Sequence, residues 1–203
     1  MKKISEQFSE IQSNSELKDE ILEQSLEWLN DSFRGSFNTE SPIETAKQEF
    51  SDDMESTVTL GHIYHYLYYP KTKVKYYDKF PLTLVIKKYS DGFLGLNFHY
   101  LSVKHRFALM SQLWDHVIAE KGEVNNNSYI RVRYETLNSI GSIKYYKPCL
   151  KRYSYKQLLT PLFRIPAEKW LYALMLPTER FFTLNKTYLS RENIHRITRT
   201  KIY

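Results

Sequence analysis

The chain has 203 residues, 42% hydrophobic and 15% aromatic with 17 Tyr, a composition that excludes an intrinsically disordered chain and suits one core with appended arms. Its single cysteine, Cys149, excludes an internal disulfide and any zinc site with more than one Cys ligand. The formal charge of +6 divides unevenly: residues 1–60 hold 5 Lys/Arg and 14 Asp/Glu, net −9, whereas residues 61–203 hold 24 and 9, net +15. An acidic leader therefore precedes a basic body, which suits contact with nucleic acid or with an acidic protein.

Along the chain, Ser15 is placed to cap a helix whose first turn carries Glu16, Asp19 and Glu20, favourable at the positive helix end. Leu17, Ile21, Leu22, Leu26, Leu29 and Phe33 fall on one stripe and predict a partner-docking helix to about Asn30, and a second short helix is expected from Ile43 to Met54. No apolar run approaches the ~18 residues of a membrane span, and Met1 to Glu6 leads into no hydrophobic signal region. A soluble, unexported protein folded in a reducing cytoplasm is the expectation.

From Leu60 the pattern changes to period two. Ile63, His65 and Leu67 alternate with His62, Tyr64, Tyr66 and Tyr68, and Phe80, Leu82, Leu84 and Ile86 alternate again. Ser90-Asp91-Gly92 signals a tight turn into Leu94, Leu96, Phe98 and Tyr100. Three strands around one hairpin predict an α+β fold: a small SH3-like antiparallel barrel or curled sheet packed by helices, with Gly95 supplying a bend or close approach.

Ser102 is expected to cap a helix carrying Val103, Phe107, Met110, Trp114, Val117 and Ile118 on one stripe and ending at Gly122. A strand is expected from Tyr129 to Tyr134, and a helix from about Ala167 to Leu176 between prolines. The chain thus divides into an acidic helical arm over residues 1–58, a β and helix core over 59–180 and a basic C-terminal arm over 181–203.

Catalytic and metal chemistry find little to work with. His62 and His65 are three apart, which on a strand points them to opposite faces and spoils a two-ligand metal site. His99 could pair with Tyr100 as acid and base, although a histidine ending a strand more often bonds a loop. A metal nuclease needs converging carboxylates, but those of the body, Asp78 and Asp91 among them, are scattered, and no phosphate-binding glycine loop or nucleophile motif is present. No enzyme, cofactor or metal site is expected. Lys144, Lys147, Lys151, Arg152, Lys156 and Arg164 interleave with Tyr145, Tyr146, Tyr153 and Tyr155, a pattern that serves phosphates and bases, a protein groove or an ordinary basic surface. Arg196 and Arg199, with Arg191 and Lys201, give the chain a basic end.

Taken in order, Gly61-His62-Ile63-Tyr64, Tyr69-Pro70-Lys71-Thr72-Lys73, Tyr76-Tyr77-Asp78-Lys79-Phe80-Pro81-Leu82 and Asp91 through Leu101 resemble a virion protein family of T4-like myoviruses. Lys147 to Tyr153 and Ile165 to Trp170 extend the resemblance, which covers roughly residues 60 to 180. The family is often called DNA end protector or tail/head completion protein. Several members carry a Pro-Pro pair where Ser102-Val103 stands here, and the acidic leader has no counterpart in the resemblance. It implies a non-enzymatic structural virion component near the head-tail junction or tail lumen that binds or caps the genome end. Other virion proteins of the neck, tail or baseplate and a double-stranded DNA end are the expected partners. The alternative is an adaptor that binds only protein, anchored by Leu17, Ile21, Leu22 and Leu26.

Overall fold

A computed structural model describes residues 54–71, 74–132, 146–175 and 178–200. The helices expected in the acidic leader, with Leu17, Ile21, Leu22 and Leu26, lie outside these residues, as does Lys144. In chain order the elements are β1 (Met54–Glu55), β2 (Ile63–His65), β3 (Tyr77–Asp78), β4 (Leu82–Tyr89), β5 (Gly92–Asn97), α1 (Val103–Trp114), β6 (Val117–Ile118) and β7 (Tyr129–Ile130). They continue with β8 (Leu150–Ser154), β9 (Leu162–Ile165), α2 (Trp170–Met175), β10 (Phe181–Phe182), β11 (Tyr188–Leu189) and α3 (Arg191–Thr200).

The main sheet has six strands in the order β1-β9-β2-β4-β5-β8, each pair antiparallel. A second sheet runs β11-β10-β3, and β6 pairs with β7. The expected hairpin is present, since Tyr89 pairs with Gly92 across the turn. The expected barrel is not: among the described residues β1 and β8 stand at opposite edges of an open sheet. β1 contributes only two residues to the ladder, too few to bring the edges together.

Period-two alternation separates two cores. On the helix side Ile63, Leu82, Leu84 and Leu96 pack beneath Phe98, Phe107, Met110, Leu113, Trp170 and Leu174. On the other side Tyr64, Tyr66, Tyr68, Val85, Phe93, Tyr153 and Leu162 form an aromatic cluster. Its rings meet edge to face, Tyr153 with Tyr68 at 4.9 Å and with Tyr66 at 5.3 Å between centroids. That arrangement suits the ring quadrupoles. Each hydroxyl finds a partner. Tyr64 Oη donates to Glu55 Oε2 at 2.6 Å, Tyr68 Oη to Gln157 Oε1 at 2.6 Å, and Tyr66 Oη meets Thr83 Oγ1 at 3.0 Å. The strand tyrosines therefore hold the fold from within.

Gly95 makes this face possible, because a Cβ there would stand 2.0 Å from Thr83 Cγ2. A β-bulge between Val85 and Lys87 inserts one residue into β4, after which Lys87, Lys88 and Tyr89 run out of the core into solvent.

Several local expectations are corrected. α1 stops at Trp114 instead of reaching Gly122, because Val117 and Ile118 leave the stripe to pair with Ile130 and Tyr129. Of the strand expected from Tyr129 to Tyr134, β7 takes Tyr129–Ile130, and residues 133–134 lie outside the described residues. Ser102 occupies the N-cap without a side-chain cap bond, its Oγ lying 2.6 Å from His105 Nδ1 instead. The basic C-terminal segment does not extend as an arm: Phe181 and Ile194 are fully buried in the helix-side core. Cys149 is buried, and burial pushes its thiol up to about 12.

Candidate nucleic-acid interface

Buried polar groups tie the sheets together and set the position of the C-terminal helix. Asp78 sits where β3 meets β10, and its Oδ1 accepts from the amides of Phe80 at 3.1 Å and Arg180 at 3.2 Å. Its Oδ2 meets His99 Nδ1 at 2.7 Å and accepts from Asn97 Nδ2 at 3.2 Å. Burial by itself would raise the Asp78 carboxyl, but His99 and these donors together hold it below the usual carboxylate range. Thr178 Oγ1 lies 3.2 Å from His99 Nε2 and 3.3 Å from His65 Nε2. Burial, with His99 close by, pushes the His65 ring down to about 3, so it is neutral at physiological pH.

Asp78, His99 and Thr178 stand in the order carboxylate, imidazole, hydroxyl, the order used to activate a nucleophile. Here all four acceptor directions of Asp78 are occupied and His99 is fully enclosed, so the set serves as a connector between strands. Beside it, Arg106 of α1 is buried with its Nη2 2.9 Å from Glu179 Oε1. Arg106 also donates from Nε to the Leu101 carbonyl and from Nη1 to the Leu174 carbonyl. One guanidinium thus joins α1, the end of α2 and the segment leading to β10.

α3 docks on this polar core. Ser190 Oγ accepts from the Asn193 amide at 3.3 Å and caps the helix. Ile194 and Thr198, one turn apart, are buried, and His195 Nε2 meets the His99 carbonyl at 3.0 Å. With that side fixed inward, Arg196 and Arg199, three residues apart, are exposed together on the outer side. Lys104 and His105 of α1 are exposed as well. Part burial and then the fields of Lys104 and Arg199 push His105 down. Glu192, exposed on α3, is taken by Arg191 Nε at 2.9 Å.

A second cationic surface lies at the far end of the β4–β5 hairpin, where exposed Lys87 shares a face with Arg152 of β8 and exposed Lys88 points to the other face.

A family model described as the phage T4 terminal DNA protecting protein matches residues 8–197. The chain belongs to that family. No curated protein and no solved structure matched. The family match begins at residue 8, so it takes in the acidic leader that the motif resemblance over residues 60 to 180 left out.

In this terminal DNA protecting family member the predicted cations do not form one surface. Arg196 and Arg199 lie together on α3, Lys147 and Lys156 are exposed elsewhere, and Lys151 places Nζ 4.2 Å from the centre of the Tyr100 ring. Arg152 pairs with Asp91 across the hairpin, and Arg164 Nε lies 3.5 Å from Glu55 Oε1. His62 and His65 lie on opposite faces, as their spacing requires, His62 near Tyr129 and His65 stacked on Phe80. Both carboxylates weighed for a nuclease are engaged with protein groups, Asp78 within the core and Asp91 with Arg152. Sequence reading missed Arg106, Glu179, Thr178 and Lys104. The available signal was an Arg interrupting the apolar stripe of α1, which marks a buried charge in need of a partner.

No helix among the described residues is long and apolar enough to cross a membrane.

Proposed function

We propose that this protein is a virion component that binds the end of the phage genome and shields it sterically, without catalysis, near the head-tail junction. The observation that carries the binding half is the pair Arg196 and Arg199, exposed together on the outer side of a helix fixed from behind by buried groups. Exposed guanidinium groups on one side of a helix meet backbone phosphates without reading bases, as a protector of one DNA end requires. Each neutralised phosphate releases a counterion, so affinity falls steeply as salt rises.

Retention of end-labelled linear duplex by purified protein, measured over a salt series, tests this reading. Wild type is expected to bind at low salt with a linear fall in log affinity against log salt. Replacing Arg196 and Arg199 by Gln is expected to reduce the slope by about 1.8, two phosphate contacts at ~0.9 each. Absence of binding at low salt, or a slope that the double substitution leaves alone, refutes it. Protection is expected to appear as slower exonuclease digestion of linear duplex, and immunolabelling of intact particles tests the location.

A further inference from the structure

The tip of the β4–β5 hairpin carries an aromatic and cationic arrangement that the α3 reading leaves unused. Tyr89, the last residue of β4, is 38% exposed. The Arg152 guanidinium lies over its ring, 4.1 Å from the centroid, and Lys87 Nζ approaches to 5.7 Å. Register explains the meeting, since Lys87 pairs with Leu94 and Leu94 with Arg152, and Lys87 and Tyr89 are two apart on one strand.

The stack is held in place before any ligand arrives. Arg152 Nη1 donates to the Tyr153 carbonyl at 2.7 Å and Nη2 to the Asp91 carboxylate. Gly92 leaves the space for this crossing: a Cβ there would stand 2.6 Å from Arg152 Nη1 and 2.0 Å from the Tyr153 carbonyl oxygen. The result is a solvent-facing tyrosine and guanidinium stack with Lys87 beside it and one carboxylate, Asp91, already engaged.

A flat π surface among cations fits a nucleobase with its flanking phosphates. Within a duplex, both faces of every interior base pair are covered by neighbours, and only the last pair has a bare face. We propose that the Tyr89–Arg152 stack caps the terminal base pair of a DNA duplex, with Lys87 holding an adjoining phosphate. This rests on the DNA-binding reading above and supplies the feature by which an end is told from an interior.

The test uses the full chain with a short blunt duplex carrying 2-aminopurine at its terminal pair, and a covalently closed circle of the same sequence as competitor. Wild type is expected to change the probe's emission on binding and to prefer the open duplex. Tyr89→Ala is expected to lose roughly 5- to 150-fold of that preference, the worth of one base-aromatic stack, while Tyr89→Trp keeps it. Lys87→Gln is expected to weaken open and closed DNA alike. Tyr89→Ala with undiminished end preference and probe response overturns the stacking proposal and leaves DNA binding standing. Equal wild-type affinity for open and closed DNA overturns end recognition as a whole, and no affinity for either removes the DNA reading beneath it.

Discussion

Replacing Asp78 by Asn removes one charge and almost no volume, so its effect isolates the buried polar connector. The carboxylate accepts from Phe80 N and Arg180 N on one oxygen and faces Asn97 Nδ2 and His99 Nδ1 on the other. Whichever way the new amide turns, its NH2 group points at two groups that had been satisfied by an acceptor. Each buried donor left without a partner costs about 1–3 kcal/mol, and the new amide strands two of them. A loss of about 2–6 kcal/mol is therefore expected. With a urea m-value of about 3 kcal/mol/M, the midpoint drops by roughly 0.7–2 M in equilibrium unfolding followed by far-UV circular dichroism. The pH dependence supplies a second check. Because the folded Asp78 carboxyl sits below its ordinary value of 3.8, its contribution is present above that pH and fades as pH falls through the lower folded value. The gap between wild type and variant should narrow only in that acid range. A midpoint shift worth less than about 1 kcal/mol at neutral pH would refute the connector role.

His65 is held down to about 3 against an ordinary value of 6.5, so between those limits the unfolded chain binds a proton that the folded one does not. Stability is expected to fall on acidification through that window, by up to about 1.4 kcal/mol per pH unit, and unfolding curves of His65→Phe should show a shallower slope. Arg106→Met or Glu179→Gln alone should cost about 3–5 kcal/mol by stranding a buried charge, and double replacement by Met should cost less than the sum, as a double-mutant cycle in urea would show. Gly95→Ala drives a methyl into Thr83 Cγ2 and should lower stability by about 1–3 kcal/mol. Adding Thr83→Ser, which removes that methyl and keeps the hydroxyl facing Tyr66, should restore most of the loss in a thermal melt.

Local order was the legible part. Alternation placed Tyr64, Tyr66 and Tyr68 on one face against Ile63 and His65, and Ser90-Asp91-Gly92 marked the hairpin, because side-chain period and turn chemistry are properties of neighbouring residues. What escaped depends on distant partners. Val117 and Ile118 continue the helical stripe of α1, and only their pairing with Tyr129 and Ile130 removes them from it. The cations of residues 191–199 suggested an arm, although Ile194 and Thr198, four apart, give that helix a side that buries. Of the predicted binding residues, Arg152 and Arg164 face carboxylates more than 60 residues away, Asp91 and Glu55, which no inspection of the segment 144–164 reveals. His99 was noticed as a strand-end histidine, but its use follows from Asp78 and Thr178 reaching it from two other parts of the chain.

The pairing of β3 with β10 joins Asp78 to Phe181, and the segment just before β10 supplies Thr178 and Arg180 to the same polar knot. A ribosome makes residue 78 long before residue 178, so on the emerging chain the Asp78 carboxylate and the His99 ring wait in water for their last partners. Closure of the core is consequently a late event of synthesis. A product cut short before residue 178 would lack α3 and with it the outward arginines. Acquisition of the native interior and of the outward arginines of α3 are thereby fused into one step, and an incomplete copy would be distinguishable from a finished one.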